Sequence, residues 1–409
     1  SVFLVLARRS KHSLSTGMRY LVMQVGSGVL LLAGAILYAS AGNGLNFDFI
    51  GLDAPGGWLI FIAFGIKAGF PMLHGWLTDA YPEATPTGTV FLSAFTTKVA
   101  IYALARGFPG TDLLVLIGTL MACFPIFFAV IENDLRRVLA YSLNNQLGFM
   151  LVGVGIGTPL ALNGAASHAF AHILYKGLLF MAMGAVLHRT GTAKANELGG
   201  LYKSMPLTAA FCIVGSMSIS AFPLTSGFVT KSMVLSAAGE MHLPLVMLGL
   251  LFASAGVMEH SGIKIPFFAF FAHDSGIRCK EAPANMLIGM GGAALLCLLI
   301  GIFPGPLYGM LPFPVDYHPY TAGHVITQLQ LLLWATLAFC VLFRTHLYPR
   351  EIPSVNLDTD WIYRRLLPGI SHRIHGMATL ARTRVNRWAQ IRLDRFFSGV
   401  YYLHGPEGV

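Results

Sequence analysis

The residues in this sequence best suited to chemistry are lysines and histidines that lie inside long apolar stretches. They are Lys67, Lys98, His168, His172, Lys176 and Lys231. A lysine at the centre of a membrane-spanning helix costs about 3 kcal/mol on insertion scales unless it faces water or a counter-charge. A buried ammonium group gives up its proton more readily when dehydrated and regains it when a carboxylate approaches. We therefore expect these residues to form a pathway that relays protons.

Two histidines and a lysine are spaced four residues apart, at His168, His172 and Lys176. On one helix they share a face, each about one turn beyond the last. Histidine titrates near neutral pH and can relay protons, but these rings could equally cap neighbouring backbone or hydroxyl groups. A metal site is disfavoured, because no third ligand of metal-binding type lies nearby in the sequence.

Further polar residues inside apolar stretches are secondary candidates for the same pathway. They are His74, Asn145, Glu259, His260 and Lys264. Asn145 forms a polar run with Asn144 and Gln146, which can hydrogen-bond to water beside the histidines or hold helices together. Glu259 and His260 are close enough in sequence to neutralise Lys264 in part. Lys264 could also extend its ammonium group to the membrane surface.

The elements that position these residues are predicted to be membrane-spanning helices. The chain has 409 residues, of which 55% are apolar and only 11% charged, and apolar runs of about 20 residues cross a bilayer core as helices. We predict an all-α polytopic membrane protein with ten visible transmembrane helices. They cover 18–40, 57–77, 87–106, 111–131, 137–157, 161–188, 206–237, 243–271, 285–304 and 324–346.

Two of these spans carry the same interruption, Phe-Pro-x-x-x-Gly-aromatic, at 70–76 and 222–228. A proline with a nearby glycine breaks a helix. Lys67 precedes the first break and Lys231 follows the second. Paired broken helices that carry charge indicate a transporter built from structural repeats.

The loops predict how the chain is oriented. Apart from the five lysines inside the spans, Arg106 at the end of the span 87–106 is the one Lys or Arg residue assigned to the outer side. Both visible ends should therefore be cytoplasmic, and the membrane should be the cell inner (plasma) membrane. The segment 373–397 predicts a basic amphipathic helix that lies on anionic lipid or contacts a partner subunit. The net charge of +9 is then explained without nucleic acid.

The apolar segment 1–7 reads as the end of a helix whose beginning is missing.

Several motifs resemble those of one known family. They are the run 67–84, which contains Lys-Ala-Gly-Phe-Pro and Trp-Leu-Thr-Asp-Ala, then Lys98 within Thr-Thr-Lys-Val-Ala, 134–142, the His-x3-His-x3-Lys series, 199–206 and 227–231. Together they are similar to the proton-translocating antiporter-like subunits of respiratory complex I, membrane-bound hydrogenases and Mrp cation/proton antiporters. The resemblance covers about 1–305 and is greatest to the D-type member of the Mrp antiporters, particularly around 262–264.

The resemblance implies a fold of two inverted five-helix repeats with broken helices. The first, incomplete repeat would cover 1–106 and the second 107–271, followed by transmembrane helices over 272–346 and a basic cytoplasmic tail over 347–409.

The resemblance also assigns roles to the pathway residues. Lys67 would be the central lysine of the first broken helix, Lys98 the connecting lysine and Lys231 the terminal lysine. The series from His168 to Lys176 would form the midplane relay. Members of the family pair the lysine corresponding to Lys67 with a glutamate on the helix before the first basic loop, and that glutamate is absent from this sequence. Thr78 replaces the family's usual proline, and 143–146 departs from its usual run.

The function expected from these observations is proton translocation by a membrane subunit of a multisubunit Na⁺ or K⁺/H⁺ antiporter, with other membrane subunits as partners. A proton-pumping subunit of a complex I-like NADH:quinone oxidoreductase or membrane hydrogenase is the alternative, and a structural subunit without transport is a second. The sequence carries no nucleotide, flavin or Fe–S motif, so we expect no cofactor and no catalytic site of its own. Redox chemistry would belong to partners.

Overall fold

The computed structural model describes residues 1–44, 46–353 and 356–405. The chain forms two compact units, Ser1–Asn356 and Leu357–Val409. Within the described residues the regular structure is helical, and strand-like pairing is limited to an isolated bridge between Asp134 and Lys194. The predicted all-α class is therefore confirmed.

The first eight helices contain the first break and most of the buried core. They are α1 (Val2–Leu6), α2 (Lys11–Ser40), α3 (Gly57–Ala68), α4 (Gly75–Glu83), α5 (Gly88–Gly107), α6 (Asp112–Ile131), α7 (Leu135–Ile156) and α8 (Pro159–Thr190). Helices α7 and α8 lie at the centre of the unit, where most of their side chains are buried.

The remaining helices of the first unit contain the second break and a run of π-helix. They are α9 (Pro206–Ile219), α10 (Ser226–Glu240), α11 (Pro244–Val257), α12 (Lys264–Pro266), α13 (Ala284–Ile302), α14 (Gly305–Tyr308) and α15 (Ala322–Arg344). Helix α12 lies between two π-helical segments, Met258–Ile263 and Phe267–Phe271. The second unit contains α16 (Leu367–His404), in which no described side chain is buried.

Seven of the described helices are long and apolar enough to cross a membrane. The other three predicted spans differ for identifiable reasons. Two of them are divided by the predicted breaks into α3 with α4 and α9 with α10. The third, α7, has the length of a span but carries a polar run, Asn144–Asn145–Gln146, in its middle.

The first break is a tight turn between α3 and α4. Gly69 ends α3 in the left-handed region at φ 80°, and the Phe70 N–H donates to the Gly65 carbonyl at 3.0 Å. The Leu73 N–H then donates to the Phe70 carbonyl at 2.8 Å, with Met72 at φ 68°. A proline followed by a residue with positive φ is the pattern of a type II turn.

The second break repeats this backbone residue by residue. Ala221 has φ 59°, and the Phe222 N–H donates to the Met217 carbonyl at 3.0 Å. The Thr225 N–H donates to the Phe222 carbonyl at 3.2 Å, with Leu224 at φ 69°. The matching sequence motif therefore produces matching geometry in the two halves of the unit.

Met72 gives a direct test of this turn. Its side chain is 63% exposed, so little packing offsets the cost of about 1–2 kcal/mol for a non-glycine residue in the left-handed region. We expect Met72→Gly to raise the free energy of unfolding by about 1 kcal/mol. Met18, equally exposed at 62% but within α2, is the matched control, and Met18→Gly should lower it by about 1 kcal/mol. Unfolding in detergent measures both, and a loss of stability in Met72→Gly would contradict the turn assignment.

A close approach of α6 and α7 brings polar side chains into the core. A Cβ at Gly118 would lie only 2.7 Å from the Val152 amide nitrogen, so the two backbones are in contact. The polar run in the middle of α7 is consequently fully buried. This packing explains why α7 can be both central and polar.

Arg136 ties the start of α7 to the end of α4. Its guanidinium is buried and donates to the Pro82 carbonyl at 2.7 Å, the Ala84 carbonyl at 3.0 Å and the Thr85 carbonyl at 3.3 Å, and also to the Thr89 hydroxyl. In the sequence Arg136 appeared as a loop cation within the 134–142 motif, and this buried role was not predicted.

Candidate functional site

Lys67 lies in the last turn of α3 and is half-buried. Its Nζ donates to Gln24 Oε1 on α2 at 2.8 Å. In the described part of the chain, the Lys67 ammonium group thus donates its hydrogen bond to a neutral amide oxygen. The resemblance implies a glutamate as partner, on a helix that would precede the first basic loop.

Lys98 lies on α5 and is buried, with 7% of the residue exposed. Its Nζ donates to the Ser93 carbonyl at 2.5 Å and lies 3.4 Å from Thr97 Oγ1. The charge of Lys98 also acts on His172 and Lys176 of α8. The structure therefore brings Lys98 and the α8 series into one electrostatic cluster.

His168 lies between α7 and α10. Its Nε2 is 3.2 Å from Gln146 Oε1 and its Nδ1 is 3.3 Å from Thr230 Oγ1. The Gln146 amide nitrogen donates to Asn145 Oδ1 at 2.6 Å, and the Thr230 hydroxyl donates to the Ser226 carbonyl at 3.0 Å. Both neighbours thus offer an acceptor to the ring. A doubly protonated His168 has an acceptor for each N–H, which suits a residue that holds a proton transiently.

The remaining residues predicted to lie on the pathway are buried without a hydrogen-bonding partner among the described residues. His172 and Lys176 on α8 and Lys231 on α10 all belong to this group. The Lys231 ammonium lies 4.7 Å from the centre of the Phe149 ring, within reach of a cation–π interaction. Ionised side chains buried in this way require water or a group that can exchange a proton with them. They therefore suit a hydrated path better than a packed core.

Tyr175 and Gln146 belong to the cluster, although the sequence did not identify them as pathway residues. The Tyr175 hydroxyl donates to Gln146 Oε1 at 3.2 Å and lies 3.4 Å from His168 Nε2. Its ring packs edge-on against His172, with centroids 5.2 Å apart. Tyr175 lies three residues after His172, and this helical spacing was an available signal. The role of Gln146 depends on contacts between helices that periodicity does not reveal.

Two secondary candidates lie at the edge of this cluster. His74 is buried at the start of α4, with its ring 4.8 Å from that of Phe124. The Asn145 amide donates to the Ala122 carbonyl on α6 and accepts from Gln146. Asn145 therefore joins helices, as one of its two predicted roles required, and also anchors the Gln146–His168 contact.

The other secondary candidates lie in and beside the first π-helical segment. His260 and Lys264 are fully buried, whereas Glu259 is half-buried in an apolar crevice. The Lys264 side chain lies at the end of α6 without exposure and forms an ion pair with Glu351 at 2.8 Å. Partial neutralisation was expected from Glu259, but the paired carboxylate comes from a distant part of the sequence.

Comparison with known proteins places the chain in one family of membrane subunits. The transmembrane family described as "NADH:quinone oxidoreductase/Mrp antiporter, TM" matches residues 1–256. Hydrogenase-4 component B of Escherichia coli is 30% identical over 74% of this chain and 51% of its own length. A probable K(+)/H(+) antiporter component of Rhizobium meliloti is 33% identical over 59% of this chain and 26% of its own length. The chain spans about half the length of the first curated relatives it matches.

Two solved structures share the fold. The Mrp complex from Dietzia sp. DQ12-45-1b contains a chain with a TM-score of 0.66 and 21% identity, covering 83% of this chain and 71% of that one. The membrane-bound sulfane sulfur reductase, an archaeal respiratory membrane complex, gives a TM-score of 0.70 and 23% identity, covering 97% of this chain and 78% of that one. At these identities the likeness concerns the fold alone.

Proposed function

Because the chain belongs to the NADH:quinone oxidoreductase/Mrp antiporter transmembrane family, and is thus one of its membrane subunits, we propose that it relays protons within a multisubunit Na⁺ or K⁺/H⁺ antiporter. The observation that carries this proposal is the buried cluster around α8. There His168 lies between two acceptors, and Lys98, Lys176 and Lys231 are buried without carboxylate partners among the described residues.

The proposed order of the pathway follows the helices. Lys67 on α3 would exchange protons with Lys98 on α5, and Lys98 with the α8 series. His168 would pass protons towards Lys231 on α10, since the charge of Lys231 acts on the His168 ring. Gln146 and Tyr175 would hold His168 in orientation and transfer no proton themselves. Water would connect groups that make no direct hydrogen bond.

Other parts of the proposal rest on the sequence and the family. The repeats over 1–106 and 107–271 would supply one half-pathway each. The membrane would be the cell inner (plasma) membrane, with the visible ends cytoplasmic and α16 on anionic lipid or a partner subunit. Other membrane subunits would complete the transporter, and no catalytic site would reside in this chain.

A second candidate function is proton pumping driven by electron transfer in a partner. Two relatives, each 33% identical, favour it: an NADH-quinone oxidoreductase component of Desulforudis audaxviator and an F(420)H(2) dehydrogenase component of Methanosarcina mazei. A structural role without transport is the third possibility. It is disfavoured because a fold with no transport role gains nothing from several buried, uncompensated lysines.

Reconstitution of the complete complex into liposomes separates these functions. Internal pH is followed with a Na⁺ gradient, a K⁺ gradient or a reduced donor with a quinone as driver. We expect proton flux driven by an alkali cation gradient alone. Flux that appears only with electron transfer would establish the second function. A complex that assembles but moves protons under no driver would favour the structural role.

A further inference from the structure

Lys264 occupies a cage of oxygen atoms at the end of α6. Its Nζ donates to the Val130 carbonyl at 2.6 Å and the Glu132 carbonyl at 2.7 Å, and lies 3.3 Å from the Ala129 carbonyl. Glu351 Oε1 completes the cage at 2.8 Å. Lys264 itself is fully buried. The ammonium group is thus held by three main-chain carbonyls and a carboxylate.

This set of oxygens has the chemistry of an alkali cation site. Backbone carbonyls replace the hydration shell of K⁺ in selectivity filters, and carbonyls at helix ends coordinate Na⁺ in transporters built from broken helices. The last carbonyls of α6 also carry the negative end of the helix dipole. A lysine ammonium and a monovalent cation present the same charge to these atoms.

The cage is connected to a cavity through Glu351. That cavity has a volume of about 360 Å³ and is also lined by Asn196, His273, His346 and Tyr348. Its size leaves room for a cation with several waters, at about 30 Å³ each. The side chain of Glu351 is 93% buried, with 7% exposed, and Oε2 has no hydrogen-bonding partner among the described residues. One oxygen therefore faces the lysine, and the other is left for a ligand.

The buried carboxylates at the cage need a positive charge or a proton beside them. Burial raises the pKa of Glu351 above its usual value, although the Lys264 ammonium beside it acts in the opposite direction. Burial also raises the pKa of Glu132, which Arg137 opposes. If its cation left, Glu351 would take up a proton, because an isolated buried carboxylate is costly. The site thus holds an ammonium, a metal cation or a proton.

Several other titratable groups surround this pair. Glu259 lies on the first π-helical segment, Glu132 in the α6–α7 connection and Arg137 in the first turn of α7. The segment after α15 contributes Arg350, His346 and Tyr348, and the segment after the second π-helical segment contributes His273. The Glu132 carboxylate is already occupied, since it accepts from Asn356 Nδ2 at 2.9 Å and from two backbone amides. Glu351 is therefore the carboxylate available to an incoming ion.

We propose that the Lys264–Glu351 cage is an exchange site at which an alkali cation, Na⁺ or K⁺, competes with the protonated side chain of Lys264. The cation enters from the cavity and binds the Glu351 carboxylate and the α6 carbonyls. Lys264 releases one proton and leaves the cage as a neutral amine. One proton leaves for each cation bound, so the charge of the site does not change. The proposal rests on the proposed antiport function and gives it a location for cation binding.

The test measures cation binding and proton release on the complete complex in detergent. NaCl or KCl is added to a weakly buffered sample, pH is followed with an indicator, and choline chloride controls for ionic strength. ²²Na⁺ and ⁸⁶Rb⁺ report binding of the two cations. We expect saturable release of about one proton per copy of this chain with Na⁺ or K⁺ and none with choline.

Three variants give distinct expected results. Lys264→Met keeps the oxygens but removes the competing ammonium, so it should bind the cation and, at a pH high enough to ionise Glu351 in the empty site, release no proton. Glu351→Gln should weaken binding at least about tenfold, or about 1.4 kcal/mol. Glu197→Gln disrupts an exposed pair with Lys194 at 3.2 Å and should behave as wild type. Each substitution is close in size to the original residue, and the melting temperature reports whether the variant is folded.

The outcomes separate this site from the proposed function. Suppose that a cation gradient drives proton flux in liposomes but cations release no protons in detergent, or that release is unchanged in both Lys264→Met and Glu351→Gln. Either result would overturn the exchange site and leave the antiporter proposal standing. The opposite result is also informative. If proton release depends on Glu351 but the complex moves protons only with electron transfer, the exchange site is supported and the antiporter proposal is overturned.

Discussion

Replacing Lys231 with methionine is expected to abolish proton flux while leaving the protein at least as stable. Lys231 is buried beneath Phe149 without a hydrogen-bonding partner among the described residues. Methionine has a similar length and no charge, so it preserves packing and removes an uncompensated ion. Loss of a positioned proton-transfer group commonly costs about a hundredfold or more in rate. We therefore expect flux through the reconstituted complex to fall by about that factor and its melting temperature to stay equal or rise.

The matched control for this variant is Lys203→Met. Lys203 is exposed and pairs with Asp274 at 2.7 Å, outside the cluster. Its replacement should leave flux within about twofold of wild type, since surface ion pairs contribute about 1 kcal/mol or less to stability. Unchanged flux in Lys231→Met would remove Lys231 from the pathway. Lost flux with a sharply lower melting temperature would assign it a structural role.

Arg136→Met is expected to produce the largest loss of stability. The substitution leaves the buried carbonyls of Pro82, Ala84 and Thr85 without the guanidinium that binds them. Each buried acceptor left without its donor costs about 1–3 kcal/mol, so the three carbonyls together give an expected loss of several kcal/mol. Thermal unfolding of the complex in detergent, together with the yield of assembled complex, measures the effect.

Two further variants make this result specific. Arg136→Lys should recover part of the lost stability, because a lysine supplies charge and donors but lacks the planar fork that reaches several carbonyls at once. Arg382→Met, on the exposed α16, should change the melting temperature little. Equal stability of Arg136→Met and wild type would mean that water replaces the guanidinium at the end of α4.

Features with a local cause were predictable from the sequence. Both helix breaks are encoded within seven residues, because proline fixes the turn and removes a donor. The helical spacing of His168, His172 and Lys176 likewise placed them on one face of α8. The polar run in α7 was visible as well, and its two proposed roles could not be separated without knowing which helices surround it.

Features that depend on distant contacts were not predictable. Gln146 on α7 meets His168 and Tyr175 on α8 because these two helices pack closely, with a Cβ at Gly153 only 2.7 Å from the Ala161 carbonyl oxygen. Lys264 meets Glu351 because the chain after α15 returns to the end of α6. No periodicity relates residues so far apart, so the sequence could indicate a buried charge but not the carboxylate that pairs with it.

The two equivalent breaks leave their lysines in unequal electrostatic surroundings. Lys67 lies in the last turn of α3, where the carbonyl end of a helix favours a cation by about 0.3–1 kcal/mol. Lys231 is the sixth residue of α10, past the first turn and outside the reach of either end of that helix. A mobile positive charge shared between the two halves would therefore rest more often at the first lysine. In the proposed pathway, two breaks with the same backbone geometry would therefore hold a proton with unequal preference.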